Sequence, residues 1–319
     1  VDTRLLPPTD DGLAVAGVLL RAGRLVAFPT ETVYGLGADA TSADAVGRIF
    51  AAKQRPADNP LIVHLAHATL VLDVAARVTP LAEQLMAAFW PGPLTVVLDA
   101  RPDLPRVTTG GLDSVAVRVP GHPVAHALLE AAGVPLAAPS ANRSGRPSPT
   151  TAQHVLADLD GDIEAVVDGG RCAVGVESTV VDARGTVPIV LREGSVTHED
   201  LARAVRGVQV GGEQAASPGT RYQHYQPSCR VEVAEPGAAV ARAAALAATG
   251  TRTGLVARDE APDGVVEVAR FTDAAHLAAL LYGALRDAED AHVKVVVIEG
   301  VAPTGIGRAV MDRLHRAAS

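Results

Sequence analysis

Cysteine, lysine, asparagine and aromatic residues are all scarce in this 319-residue chain, and each scarcity removes a class of protein. Two cysteines, Cys172 and Cys229, are too few for a disulfide framework or a cysteine zinc cluster, and reduced thiols suit a reducing compartment. No apolar run approaches the ~18 residues of a membrane span. The opening Val1-Asp2-Thr3-Arg4 lacks the basic-then-apolar layout of a signal peptide, so a cytoplasmic protein without a membrane partner is expected. A basic field is missing too. Residues 1–206 carry 17 Lys+Arg against 23 Asp+Glu, and residues 207–319 carry 11 against 13. Phosphate neutralisation supplies most of the affinity for nucleic acid, so a protein whose main task is gripping it is disfavoured. Thirty Gly and 22 Pro follow no collagen-like period, and a mean hydropathy of +0.21 with regular apolar patterning excludes a disordered chain.

What is present reads as two domains, at ~150 residues each. Strands and helices interleave through residues 1–206 without strict alternation, which predicts an α/β domain with a mixed sheet. Amphipathic helices are expected over 10–22, from Ser42 to Lys53, from Pro80 to Trp90 and over 123–132. Residues 207–229 are poor in periodic apolar residues and read as a linker. Residues 230–319 alternate strand and helix again, predicting a small α/β sandwich.

Four segments hold residues suited to chemistry. Pro29 to Gly37, with Thr32, follows a strand, where ligands of α/β sheets gather. Lys53-Gln54-Arg55 ends a helix and leads through Asn59 to His64. As helix-end cations the two basic residues would contribute only ~0.3–1 kcal/mol, but Lys53 is one of two lysines among 28 basic residues, and a polyphosphate site uses both a lysine point charge and an arginine fork. Ser114 to Pro120 places Arg118 in an apolar strand, where an unpaired charge costs several kcal/mol. Its partner is either a protein carboxylate or a substrate carboxylate or phosphate. The segment Ala137 to Pro149, a strand end and the loop after it, offers hydroxyls, an amide and small residues, among them Ser140, Asn142 and Ser148, for phosphate or ribose. No Walker motif and no strand-linked G-x-G-x-x-G occurs, so a nucleotide site here is of neither kind.

Together these segments resemble the threonylcarbamoyl-AMP synthase family, of YrdC fold, in its long two-domain form. The similarity extends through Gly175–Thr179, Leu191–Gly194, the linker Ser217 to Pro227 and Gly305–Val310, and so spans essentially the whole chain. Thr220 and Gln226 depart from the Met and the small residue expected at those places. The resemblance implies a YrdC-like open twisted mixed sheet in a catalytic domain at 1–206, a linker that acts as a lid at 207–229, and a Rossmann-like α/β domain at 230–319. It further implies synthesis of threonylcarbamoyl-AMP from L-threonine, bicarbonate and ATP, with magnesium as cofactor and release of pyrophosphate. The product would feed a downstream tRNA-modifying transferase complex. By matching motif, Thr32, His64, Arg118 and Ser140 would surround threonine. Lys53, Arg55, Asn59, Ser114, Ala138, Asn142, Ser148 and Arg192 would surround ATP, with Lys53 and Arg55 catalytic. Arg221, Tyr222, His224 and Tyr225 would form the lid, their rings and cations suited to enclosing a nucleotide. The alternative is a non-catalytic RNA-binding module of the same fold.

Overall fold

The computed structural model describes residues 2–56, 58–211 and 225–319, whose contacts divide into two units. The first holds the chain up to Ser144, Pro149–Ala173 and the stretch from Glu177 to residue 211. Gly145–Ser148 and Val174–Val176 group with the second unit, which holds the chain from Tyr225 onward. Among the described residues no helix is long and apolar enough to cross a membrane.

Small polar residues start the helices of the first unit. Thr9 caps α1 (Asp10–Arg21), Ser42 caps α2 (Ala43–Lys53), and Thr79 caps α3 (Pro80–Phe89), each accepting a backbone N–H of the first turn. His122 precedes α4 (Pro123–Ala132), which stops at Gly133 in a left-handed conformation. Thr151 caps α5 (Ala152–Leu159), and Thr197 forms a reciprocal capping box with Asp200 at α6 (His198–Ala204).

Among the described residues this unit forms one eleven-stranded sheet. In chain order its strands are β1 (Arg4–Leu6), β2 (Val26–Phe28), β3 (Gly35–Asp39), β4 (Ile62–His64), β5 (Leu94–Asp99) and β6 (Ser114–Arg118). They continue with β7 (Leu136–Ala137), β8 (Ala165–Val167), β9 (Thr179–Asp182), β10 (Ile189–Arg192) and β11 (Gln209–Val210). The spatial order is β1-β8-β2-β3-β7-β4-β6-β5-β9-β10-β11, mixing parallel pairs such as β4 with β6 and antiparallel pairs such as β5 with β6. The mixed sheet is as expected, but β1, β3, β11 and α5 are additions to the elements read from sequence pattern. Strand β3 escapes such a reading because two of its five residues are glycine. A Cβ on Gly37 would lie 2.9 Å from the Phe28 ring, so the strand gives up β-propensity for contact with that aromatic.

The two faces of the sheet are covered unequally, and this positions the site. Val46 and Ile49 of α2, Leu81 and Leu85 of α3, Val155 and Leu159 of α5 and Leu201 of α6 pack on one face in the main core. On the other face, α1 and α4 contribute Leu13, Leu20, Leu128 and Leu129 to a second core with Val26, Phe28, Leu136 and Val167, over one half of the sheet. Over the other half lies a small apolar cluster of strand residues, Ile62, Val97, Ala116, Val180 and Leu191, to which no described helix contributes.

In the second unit β12 (Arg230–Ala234), β13 (Thr253–Ala257), β14 (Val266–Arg270) and β15 (Val295–Glu299) form a parallel sheet in the order β12-β15-β13-β14. Helices α7 (Ala239–Ala248), α8 (Ala274–Asp290) and α9 (Gly307–Ala318) accompany it, giving the small α/β arrangement anticipated from the alternating pattern.

Candidate functional site

Alternation along a strand sends every second side chain to the same face. Because Ile62 and Ala116 belong to the helix-free cluster, His64 on β4 and both Ser114 and Arg118 on β6 share that face. His64 and Arg118 are register partners across the parallel pair. Arg118 is 3% exposed, and its charge is met from several directions. Its Nη1 donates to Thr32 Oγ1 at 3.0 Å, its Nε to the Gly92 carbonyl at 3.1 Å, and its Nη2 lies 2.7 Å from Glu31 Oε1. Thr32 is itself held 2.8 Å from the Thr30 hydroxyl. The partner of Arg118 is therefore a protein carboxylate, and Glu31 is a member of the site that the residue-by-residue reading passed over. Its position between two buried threonines in a loop beyond a strand is the signal that could have found it.

Burial works against the Glu31 carboxylate, but Arg118 and the Gly121 N–H more than offset it and hold its pKa below the usual range. For His64, burial and then the neighbouring Arg118 charge push the ring down to about 3, so it is neutral at physiological pH. The unfolded chain would protonate this ring near its ordinary 6.5. Stability from His64 is thus fully present above that value and is lost as pH falls toward the folded one, at ~1.4 kcal/mol per pH unit. Glu31 has the opposite origin but the same direction in acid, its contribution disappearing only below its ordinary 4.5. Urea unfolding at about pH 7 and about pH 5 should therefore show a decline that His64→Gln flattens. An identical decline in that variant would mean that other groups, such as the half-buried His122, set the slope.

A second cluster gathers on the loop after β7. Lys53 is 1% exposed, and its ammonium Nζ donates to the Ser140 carbonyl at 2.6 Å and to the Asn142 carbonyl. Burial, and then Arg55 nearby, lowers its pKa well below that of a free lysine, partly opposed by Asp158. The alternative of Lys53 as a helix-capping cation does not describe this contact. Gln54, in the left-handed region at φ 53°, ends the helix, while Lys53 occupies the buried face. Arg55 Nη2 donates to the Pro60 carbonyl at 3.2 Å and so braces the turn that carries Asn59 into β4. Ser140 Oγ donates to Asn142 Oδ1 at 2.6 Å. The two clusters share backbone: Gly35 bridges Ser140, and the Ala141 N–H donates to the Tyr34 carbonyl, just beyond Thr32.

Other expected residues are more loosely connected. Ser114 begins β6 opposite Asp99. Ala138 has its N–H committed to the Ile62 carbonyl at 2.9 Å, which leaves its own carbonyl as its backbone polar group for a ligand. Arg192 grips Ser178 through its carbonyl at 2.8 Å and its hydroxyl at 3.1 Å, and that hydroxyl lies 2.8 Å from Thr95 Oγ1. A Cβ on Gly194 would come within 2.4 Å of the Thr179 amide, so only glycine lets the segment after β10 approach β9 this closely. Ser148 is buried and groups with the second unit. Of the lid residues, Arg221, Tyr222 and His224 lie outside the described residues. Tyr225 is described, and its ring stacks on Tyr282 at 5.2 Å with Arg313 over it, so it is engaged inside the second unit.

Similarity to known proteins covers both parts of the chain. Residues 18–194 match the Sua5, YciO and YrdC family described as "Telomere recombination", and residues 196–319 match "Threonylcarbamoyl-AMP synthase, C-terminal domain". The chain is 42% identical to the threonylcarbamoyl-AMP synthase of Bacillus subtilis, over 98% of this chain and 94% of that one. It is 43% identical to that of Pyrococcus abyssi, over 96% and 93%. Its structure is similar to a crystal structure of P. abyssi Sua5 complexed with L-threonine, with a TM-score of 0.94 and 40% identity over 100% of this chain and 98% of the other. Escherichia coli YciO, 24% identical with a TM-score of 0.54, shares the fold over 60% of this chain and 95% of its own.

Proposed function

We infer the reaction from one premise: the chain belongs to the threonylcarbamoyl-AMP synthase family and is a transferase of that kind. It joins L-threonine, bicarbonate and ATP into threonylcarbamoyl-adenylate, releasing pyrophosphate and water. The threonine amine captures the carbon of bicarbonate to form a carbamate. A carbamate oxygen then attacks the α-phosphorus, the bond to the bridging oxygen breaks, and pyrophosphate leaves with its electron pair.

The observation that carries this reading is the buried Arg118 fork, which already accepts one carboxylate, that of Glu31. The Glu31 contact is through Nη2 alone, and a guanidinium suits the carboxylate of an amino acid as it does that of Glu31. Thr32, His64 and Ser140 complete the threonyl pocket, and with the imidazole of His64 neutral the cation among these four side chains is Arg118. The P. abyssi relative crystallised with L-threonine supports threonine as the amino acid. On the nucleotide side, Lys53 and Arg55 meet the negative charge that accumulates on phosphate oxygens, while Asn59, Ser114, Asn142, Ser148 and Arg192 orient ATP.

Around Lys53 the contacts are backbone carbonyls, an amide and a hydroxyl, with Asp158 as the one carboxylate named beside two cations, whereas Mg2+ prefers several carboxylate, phosphate and water oxygens. Magnesium therefore fits as an ion carried by the triphosphate, where it would neutralise charge on the leaving pyrophosphate. No covalent nucleophile is required, and burial pushes the Cys172 thiol up to about 12, leaving it protonated. The product passes to a transferase complex that modifies tRNA.

Pyrophosphate release measured with ATP, bicarbonate and each amino acid in turn tests the proposal. Threonine-dependent release is expected. Release that ignores the amino acid, or steeply salt-dependent RNA binding without turnover, would overturn it.

A further inference from the structure

A different cluster, unused by this reaction, lies on the surface of the first unit. His126 and Glu130 are four residues apart on α4, so they share one face of the helix a single turn apart. His67, just beyond β4, reaches the same spot. Its Nε2 meets Glu130 Oε1, and its ring is edge-on to that of His126 with centroids 5.1 Å apart. One ligand atom from each of the three residues lies within 4.8 Å of the others.

From this geometry we propose that His67, His126 and Glu130 form a binding site for a divalent transition cation of the Zn2+ class. Two imidazole nitrogens and one carboxylate oxygen are a donor set that suits zinc, leaving one position for water. Tetrahedral bonds of ~2.1 Å place ligand atoms about 3.4 Å apart, so the widest pair closes by up to about 1.4 Å while the touching His67–Glu130 pair opens to admit the ion. The exposed side chains of His67 and Glu130 can supply that movement by turning in place, while the backbone of α4 holds the i, i+4 spacing. Magnesium is a poor occupant because it prefers hard oxygen ligands, which separates this site from the ion that travels with ATP. Binding would fasten α4 to the segment that follows β4. The simpler alternative, a surface hydrogen bond between His67 and Glu130 with a histidine nearby, involves no metal.

The test uses the full chain stripped with a chelator and titrated with ZnCl2 by calorimetry, in parallel with CoCl2 followed by its visible d–d absorption. One tight equivalent of zinc, a tetrahedral cobalt spectrum and a zinc-dependent rise in Tm are expected, with excess Mg2+ displacing neither metal. His126→Ala and Glu130→Gln should leave the metal-free Tm in place while weakening zinc by more than the roughly 10–100-fold typical of losing a supporting outer-shell partner. Either no saturable zinc binding in the parent chain, or binding that both variants retain at parental strength, would overturn the site. The first result returns the cluster to a hydrogen-bonded surface pair, and the second assigns the metal to others of the chain's ten histidines.

Discussion

Arg118→Ala should raise the threonine requirement by about 10- to 100-fold while changing the ATP requirement far less, because a charge-assisted contact is worth ~1.5–3 kcal/mol. The structure adds a complication that the strand sequence alone did not reveal. Removing Arg118 also leaves Glu31 buried without its counter-charge, and breaking such a pair from one side costs ~3–5 kcal/mol. A single variant therefore mixes two losses. Combining it with Glu31→Gln separates them: the double variant should regain much of the stability lost in urea but none of the threonine affinity. Steady-state kinetics with each substrate varied in turn, beside urea melts of parent, single and double variants, gives the comparison. Equal rises in both requirements, or recovery of threonine affinity in the double variant, would remove Arg118 from the role of carboxylate reader.

The second large effect belongs to Lys53. As a solvent-facing helix-end cation it would be replaceable at little cost in stability, but its ammonium is buried on two backbone carbonyls. Lys53→Met keeps the length of the stem and abandons the Ser140 and Asn142 carbonyls. An unsatisfied buried acceptor costs ~1–3 kcal/mol, so the two carbonyls would cost roughly 2–6 kcal/mol, reduced by whatever desolvation of the ammonium is relieved, against the 5–15 kcal/mol typical of a folded domain. Turnover per folded molecule should fall as well, since the loop that Lys53 holds carries Ser140 and Asn142. Denaturation midpoints and active-site-normalised rates decide the matter. A Met variant that unfolds with the parent would mean that relief of the buried ammonium's desolvation offsets the two carbonyl contacts, and an unaltered rate in its folded fraction would end the proposed role toward ATP.

Both cases mark the boundary between local and non-local information. The helices follow from side-chain period and capping chemistry, which act within a few residues, and so Ser42, Thr79-Pro80 and Gly133 announce their ends in the sequence. The order of Thr32, Lys53, His64, Arg118, Ser140, Asn142 and Arg192 identifies the family, because spacing along a chain is itself a sequence property. Even the burial of Lys53 was legible: Val46, Ile49, Phe50 and Lys53 follow the i, i+3, i+4, i+7 spacing of one helical face, and the first three form its apolar stripe. What that face packs against was not legible. The carbonyls that receive Lys53 come from residues 140 and 142, the carboxylate that meets Arg118 comes from residue 31, and the ring that stacks on Tyr225 comes from residue 282. Strand β3 also went unread, because its glycines are required by the Phe28 ring on the neighbouring strand and not by any preference of their own. Sequence by itself determined most of the helices, the family and a set of candidate site residues. Only the tertiary structure decided how each buried charge is paired, because a buried charge takes whatever partner the strand order brings within ~3 Å, and strand order is a property of the whole sheet.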